Sequence, residues 1–305
     1  MNQDEERIVA MLAEEGYPGR MVAIEHLEEL RQEIAARRAA GLLDETLIQR
    51  YLSDWQFDYT KQLPEARSIL VVAAAQPLMQ LEFEWRGSFH PVLVPPTYIA
   101  EDDGRVAATV AHALQSKGYH GVQARLPQKL LAVRSGLSRY GRNNISYIEG
   151  MGSFYTIMAF FTDLPLSEDS WQEASKMPEC EACRVCLRNC PTGCIDPERF
   201  LIHAERCLTY LNENSGEFPD WVNAHDHHAL VGCMKCQTVC PQNRERLRTV
   251  VMKETFHEAE TAAILSGVAL EQLPGVTQQT LKRLGMTDYC QDRILARNLG
   301  VLLAS

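Results

Sequence analysis

The 305-residue sequence has no apolar run long enough to cross a bilayer; the longest, Ile69 to Ala75 (ILVVAAA), is far too short. It also lacks excess positive charge. Forty acidic against thirty basic residues give a formal charge of −10, which excludes a uniformly basic nucleic-acid surface but not a local basic patch, and no DNA partner is expected. The opening MNQDEERIVAMLAEEG is acidic and has no apolar h-region, so no secretory leader is expected. Arg37-Arg38 precedes AAGLLDETLIQR, which is too short and too charged for a twin-arginine signal and reads as part of a helix face. There is no P-loop, no well-placed G-x-G-x-x-G, no D-x-H-x-x-G, no low-complexity tract and no useful repeat. These absences lead to the expectation of a cytoplasmic protein with no membrane partner.

Cysteine is scarce everywhere but in one region. All ten cysteines except Cys290 lie between Cys180 and Cys240. A reducing compartment argues against a disulfide framework, and dispersed core thiols would not cluster this way.

Hydrophobic patterning divides the chain into three parts. Residues 1–60 read as helices, with Met21, Ile24, Leu27, Leu30 and Ile34 on one face of MVAIEHLEELRQEIAARR. ARSILVVAAAQP and FYTIMAFFTDLP read as strands, and the proline-rich 85–100 as a loop or edge. GRVAATVAHALQSKGYH and PQKLLAVRSG read as helices, the latter opened by Pro127 and ended at Gly136. The expected fold is α/β, an α+β layered domain over 1–175, then a ferredoxin-like module over 176–248 and a short helical tail over 249–305.

The cysteine spacing carries the chemistry. Cys180-x2-Cys183-x2-Cys186-x3-Cys190-Pro191 is the run that wraps a [4Fe–4S] cluster, with the last cysteine serving a second cluster. Cys233-x2-Cys236-x3-Cys240-Pro241 repeats it in part. Structural zinc is the competitor, but zinc sites usually draw their ligands as two pairs. Two clusters need one more ligand, and Cys207 in HAERCLTYLNE is the candidate. The exchange rule then puts Cys180, Cys183, Cys186 and Cys240 on one cluster and Cys190, Cys207, Cys233 and Cys236 on the other. Cys194 is left over, as a small buried side chain or a ligand-exchange or redox thiol.

CEACRVCLRNCPTGCI, AERCLTYLNE and GCMKCQTVCPQN, with GLSRYGRNN upstream and ILARNLGVLL at the end, resemble epoxyqueuosine reductases from about residue 105 onward. Reductive dehalogenases share that architecture. The resemblance implies a nitroreductase-like α/β domain, base-off cobalamin beside the cluster module, and HEAT-like ends to the helical tail. It implies reductive C–O or C–X cleavage by Co(I), with electrons from an external low-potential ferredoxin or flavodoxin. The substrate would be a small molecule or a tRNA-borne group. Carried onto this sequence, Gly136, Leu137, Tyr140, Gly141, Arg142, Asn143 and Asn144 would contact the cofactor. The family's catalytic aspartate falls on Ala124 or Val122 here, neither acidic. Tyr140 and His120 are therefore the candidate catalytic proton donors, with Tyr119, Tyr147 and Tyr155 also available. His225, His227 and His228 read as a capped helix start rather than a metal site. Arg244, Arg246 and Arg248 read as phosphate contacts or a solvated face. An electron-transfer protein or reductive activator without cobalamin is the alternative.

Overall fold

The computed structural model describes residues 3–98 and 103–304. Along the chain run α1 (Gln3–Glu14), β1 (Gly19–Ala23), α2 (His26–Ala39), α3 (Glu45–Leu47), β2 (Ser68–Ala75), β3 (Leu78–Trp85) and β4 (Ser88–Val94). Then come α4 (Asp103–Gln115), β5 (Gly121–Ala124), α5 (Gln128–Arg134), β6 (Arg139–Tyr140), β7 (Ser146–Tyr147) and β8 (Tyr155–Thr162). The cysteine region holds α6 (Val185–Arg188), α7 (Leu208–Glu213) and α8 (Lys235–Thr238). Finally β9 (Val250–Phe256) leads into α9 (Glu258–Leu265), α10 (Gly275–Arg283) and α11 (Ile294–Ala304). Among the described residues no helix is long and apolar enough to cross a membrane.

The chain forms two compact units, Met1–Ala75 with Asp102–Cys183, and Gln76–Glu101 with Arg184–Ser305. In the first, the sheet order is β1-β2-β8-β5 and every pairing is antiparallel. β2 is buried almost to its end, which is why its sequence is a continuous apolar run rather than an alternating one. α1 and α4 pack Ile8, Leu12, Val106, Val110 and Leu114 against Leu70, Val72, Met158 and Phe160. Met21 lies in a strand, not on the helix expected through it. Gly19–Ala23 pairs with Ser68–Val72, and helix starts only at His26. Tertiary pairing overrides the helical spacing of Met21 and Ile24.

The second unit departs further from a reading in consecutive blocks. Residues 78–94 form a hairpin whose inner strand β3 also pairs in parallel with β9. Pro91 sits in β4, the edge strand, where a missing N–H is tolerated. The segment after Arg248 therefore opens with a strand, and the three helices follow it. Phe83 stacks on Phe256, ring centroids 4.9 Å apart, at the centre of the pairing. Met79, Leu81, Val92, Leu230, Leu281, Leu295 and Leu299 complete one core joining the hairpin to the C-terminal helices. Leu230 N–H donates to the Leu93 carbonyl (2.9 Å), tying the hairpin to the segment just before Cys233.

Candidate metal and cofactor site

Both cysteine runs fold into the same local shape. Each places a four-residue helix, α6 or α8, around the cysteine four residues before its Cys-Pro, Cys186 or Cys236, and then turns off at Cys-Pro. The residue before each helix has nearly the same conformation: Arg184 at φ −127°, ψ 15° and Met234 at φ −119°, ψ 3°. Proline cannot continue the helix, so the chain leaves in the same way twice. α6 packs on α8. The two partial repeats are thus an approximately symmetric pair, as exchange of the fourth ligand requires.

Cys190, Cys207 and Cys236 pack with Cys186, Cys194 and Ile195 in one cluster. Cys190 and Cys207 also lie within electrostatic reach of Cys233. A hydrogen bond from Cys194 pushes the Cys190 thiol down to about 5 and the Cys207 thiol down to about 7, while Cys194 itself is pushed up. Burial pushes Cys233 up to about 12. Among the described residues no three His, Cys, Asp or Glu side chains converge as ligands of one ion. A cubane is a larger body, and its thiolates approach it from separate corners.

The support around the second cysteine loop is not visible in any motif. Gly232 has φ +65°, and an added Cβ would lie 2.5 Å from the Tyr98 hydroxyl, so both conformation and space require glycine before Cys233. The Tyr98 hydroxyl donates to Glu213, and burial, with the Glu213 carboxylate beside it, pushes the phenol's pKa well up. Of His225, His227 and His228, the first is exposed within a 3-10 turn, Ala224–Asp226, that Asn223 and Asp226 cap reciprocally. His228 instead accepts the Met234 backbone N–H at Nε2, 3.1 Å, so that nitrogen carries no proton. Burial lowers its pKa to about 4, from 6.5. A depressed histidine pKa contributes stability that is complete above pH 6.5 and is lost as pH falls toward 4; at ~1.4 kcal/mol per unit the full loss is about 3 kcal/mol. His228→Gln keeps an acceptor without titrating. Denaturant melts at pH 6.5 and 4.5 should show a smaller acid loss in the variant than in the parent; equal losses would exclude His228.

The segment assigned to the cofactor sits between α5 and β7. Gly136 ends α5 at φ +74°, and Leu137, Tyr140, Gly141 and Asn143 are buried. An added Cβ at Gly141 would lie 2.6 Å from both Asn143 Oδ1 and the Tyr147 ring. Asn143 donates to the Tyr147 hydroxyl (2.9 Å) and accepts from Ile145 N–H (3.3 Å). Arg142 donates to the carbonyls of Cys180 (2.6 Å), Cys183 (2.9 Å) and Glu181 (3.2 Å). Arg142 and Asn143 are thus committed inside the protein, while Arg139 is exposed and Asn144 half-buried. Arg142 holds the first cysteine loop by three charge-assisted bonds, each worth about 1.5–3 kcal/mol. Arg142→Met should speed chelator release of half the iron by at least roughly tenfold. Unchanged release kinetics would show that the loop does not need it.

The two candidate proton donors differ. Tyr140 is 4% exposed, and burial pushes its phenol up to about 12, so it holds its proton at neutral pH. His120 lies at the start of β5 with a side chain 71% exposed, its Nδ1 3.0 Å from Asp163. Ala124 is buried in β5, and Val122 is 37% exposed on the same strand. Tyr155 donates to Ser146 Oγ (2.9 Å), with its pKa also pushed up to about 12 by burial.

Fold and cysteine geometry together define a double-cluster iron–sulfur protein of mixed α/β architecture. Residues 179–243 match the 4Fe-4S double cluster binding domain. The curated relatives are epoxyqueuosine reductases. That of Aliivibrio fischeri is 33% identical over 131 residues, 43% of this chain and 33% of the relative. That of Bacillus subtilis is 26% identical over 198 residues, 60% of this chain and 49% of the relative. The matched segment therefore spans a third to a half of those relatives' length. Solved structures agree on the fold. Epoxyqueuosine reductase from Streptococcus thermophilus aligns at TM-score 0.63 and 21% identity over 100% of this chain and 81% of that one. The B. subtilis enzyme, in a structure with its catalytic aspartate loop swung out of the active site, aligns at 0.68 and 20% over 99% and 81%. The chain is similar in sequence to epoxyqueuosine reductases over part of its length and shares their fold.

Proposed function

We propose that this chain is a cobalamin-dependent, iron–sulfur oxidoreductase of the epoxyqueuosine reductase type. The observation that carries the reading is the pair of cysteine loops with the isolated Cys207 packed among them, in a chain whose first unit is far more than a carrier needs. Cys180, Cys183, Cys186 and Cys240 would hold one [4Fe–4S] cluster, and Cys190, Cys207, Cys233 and Cys236 the other. The donor set is all thiol, which suits such clusters. Arg139 and Asn144, with the backbone of Gly136 and Gly141, would meet the corrinoid's amides and phosphate. Bound cobalamin supplies a Co(I) nucleophile and reductant for C–O or C–X cleavage. Tyr140 is the better placed of the two candidate proton donors, because it is buried within the segment proposed to meet the cofactor, whereas the His120 side chain is 71% exposed beside Asp163. A low-potential ferredoxin or flavodoxin would deliver the electrons.

A related enzyme has been solved with an epoxyqueuosine-modified tRNA stem loop. Val122 and Ala124 supply no carboxylate where that family has its aspartate, which favours a different substrate, small or tRNA-borne. The internal commitment of Arg142 and Asn143 favours a second reading, an iron–sulfur electron carrier or activator without cobalamin. Adding cobalamin to the anaerobically purified, reduced protein separates the two. A base-off corrinoid spectrum that co-elutes with the protein supports the enzyme, and intact clusters with no bound corrinoid refute it. In that assay Tyr140→Phe should bind corrinoid normally but lose turnover on any accepted substrate; full turnover would remove Tyr140 as the donor.

A further inference from the structure

The cluster ligands leave one thiol of the cysteine region without a role. Cys194 is 3% exposed, with its Sγ 3.4 Å from Cys190 Sγ. It packs with Cys207 as well, and the His203 N–H donates to its carbonyl (2.8 Å), which fixes its backbone. On its other side Cys190 Sγ is 3.7 Å from the hydroxyl of Thr192, itself 5% exposed. Two sulfurs this close cannot cap separate irons of one cubane, because the cluster body must lie between its ligands. Cys190 is the residue that the Cys-Pro spacing makes a ligand, so Cys194 is not one beside it.

A ligand sulfur is a thiolate and can only accept hydrogen bonds. Both neighbours of Cys190 must then be donors, Thr192 through O–H and Cys194 through S–H. Hydrogen bonds to cluster sulfurs favour the more negative, reduced state and raise the reduction potential. We infer that Cys194 is a positioning and tuning residue of the second cluster, its thiol donating to the Cys190 ligand sulfur and keeping that cluster easier to reduce than it would otherwise be. Cys194 has one proton and two sulfur neighbours, so the same S–H also reaches toward Cys207. A small apolar residue would fill the same space in the PTGCI turn but could not donate. This inference rests on the two-cluster reading above.

Spectroelectrochemical titration with EPR on the reconstituted full chain tests it. The wild type should show two clusters; if it does not, the two-cluster reading fails at that point, before any variant is made. Cys194→Ala should keep the full iron content. Its second cluster should become harder to reduce by about tenfold in the oxidised-to-reduced ratio, ~59 mV for one electron. Cys194→Ser retains a donor and should recover most of that change. Thr192→Val, an isosteric loss of the other donor, should shift the same cluster in the same direction. Loss of half the iron in Cys194→Ala would make Cys194 a ligand and overturn the inference. Unchanged potential with full iron would make it mere filler and overturn it equally.

Discussion

Cys207→Ser should lose half of the iron and all electron delivery through the second cluster. Cys207 precedes α7 in an extended conformation (φ −66°, ψ 132°) and packs with Cys190 and Cys236. It belongs to neither tandem run, so nothing in the loops can replace it without rebuilding. A cubane that loses one thiolate corner loses its charge balance and its anchor together. Serine offers a hard oxygen in place of a soft sulfur, a poor ligand for such clusters. Turnover should fall by more than the roughly 10–100-fold typical of losing a mere outer partner of a metal site. Iron and sulfide analysis with EPR checks it: one cluster signal should vanish and the other persist. Full iron retention would remove Cys207 from the ligand set.

Asn298→Ala should destabilise the second unit by about 2–4 kcal/mol. Asn298 is 1% exposed, and its amide donates to the carbonyls of Asn212 (2.8 Å) and Leu230 (2.9 Å). Asn212 in turn donates to the Gly232 carbonyl (2.7 Å), one residue before Cys233. Arg297 adds bonds to the carbonyls of Leu211 (2.8 Å) and Gly216, with its guanidinium 4.0 Å from the Phe218 ring centroid. Alanine would strand two buried carbonyls while changing little volume. A thermal or denaturant melt of the cluster-loaded protein gives the number, and a loss below ~1 kcal/mol would mean that water replaces the amide. The chain's last helix is thus part of the frame of the second cysteine loop.

The match over 179–243 agrees with what the cysteine runs announced, because cluster ligation fixes ligand spacing within a few residues and leaves a local signature. Helix ends at Gly118 and Gly136 were legible for a similar reason: a positive φ, +82° and +74°, is a local demand. β3 and β9 were not legible. Their pairing joins Leu78–Phe83 to Val250–Phe256, and no local pattern states that partnership. Arg142 read as a cofactor contact from its place in GLSRYGRNN, yet its guanidinium holds the Cys180 loop. A guanidinium's partner depends on what the fold brings near it.

The sequence alone determined the cluster chemistry, since that is a matter of residue type at a given spacing. Only the tertiary structure decided what the Cys194 thiol touches, how His228, Asn298 and Tyr98 support the second loop, and which unit residues 76–98 join. Those are contacts between residues distant in the chain, where burial and hydrogen-bond satisfaction act and sequence spacing carries no record of them.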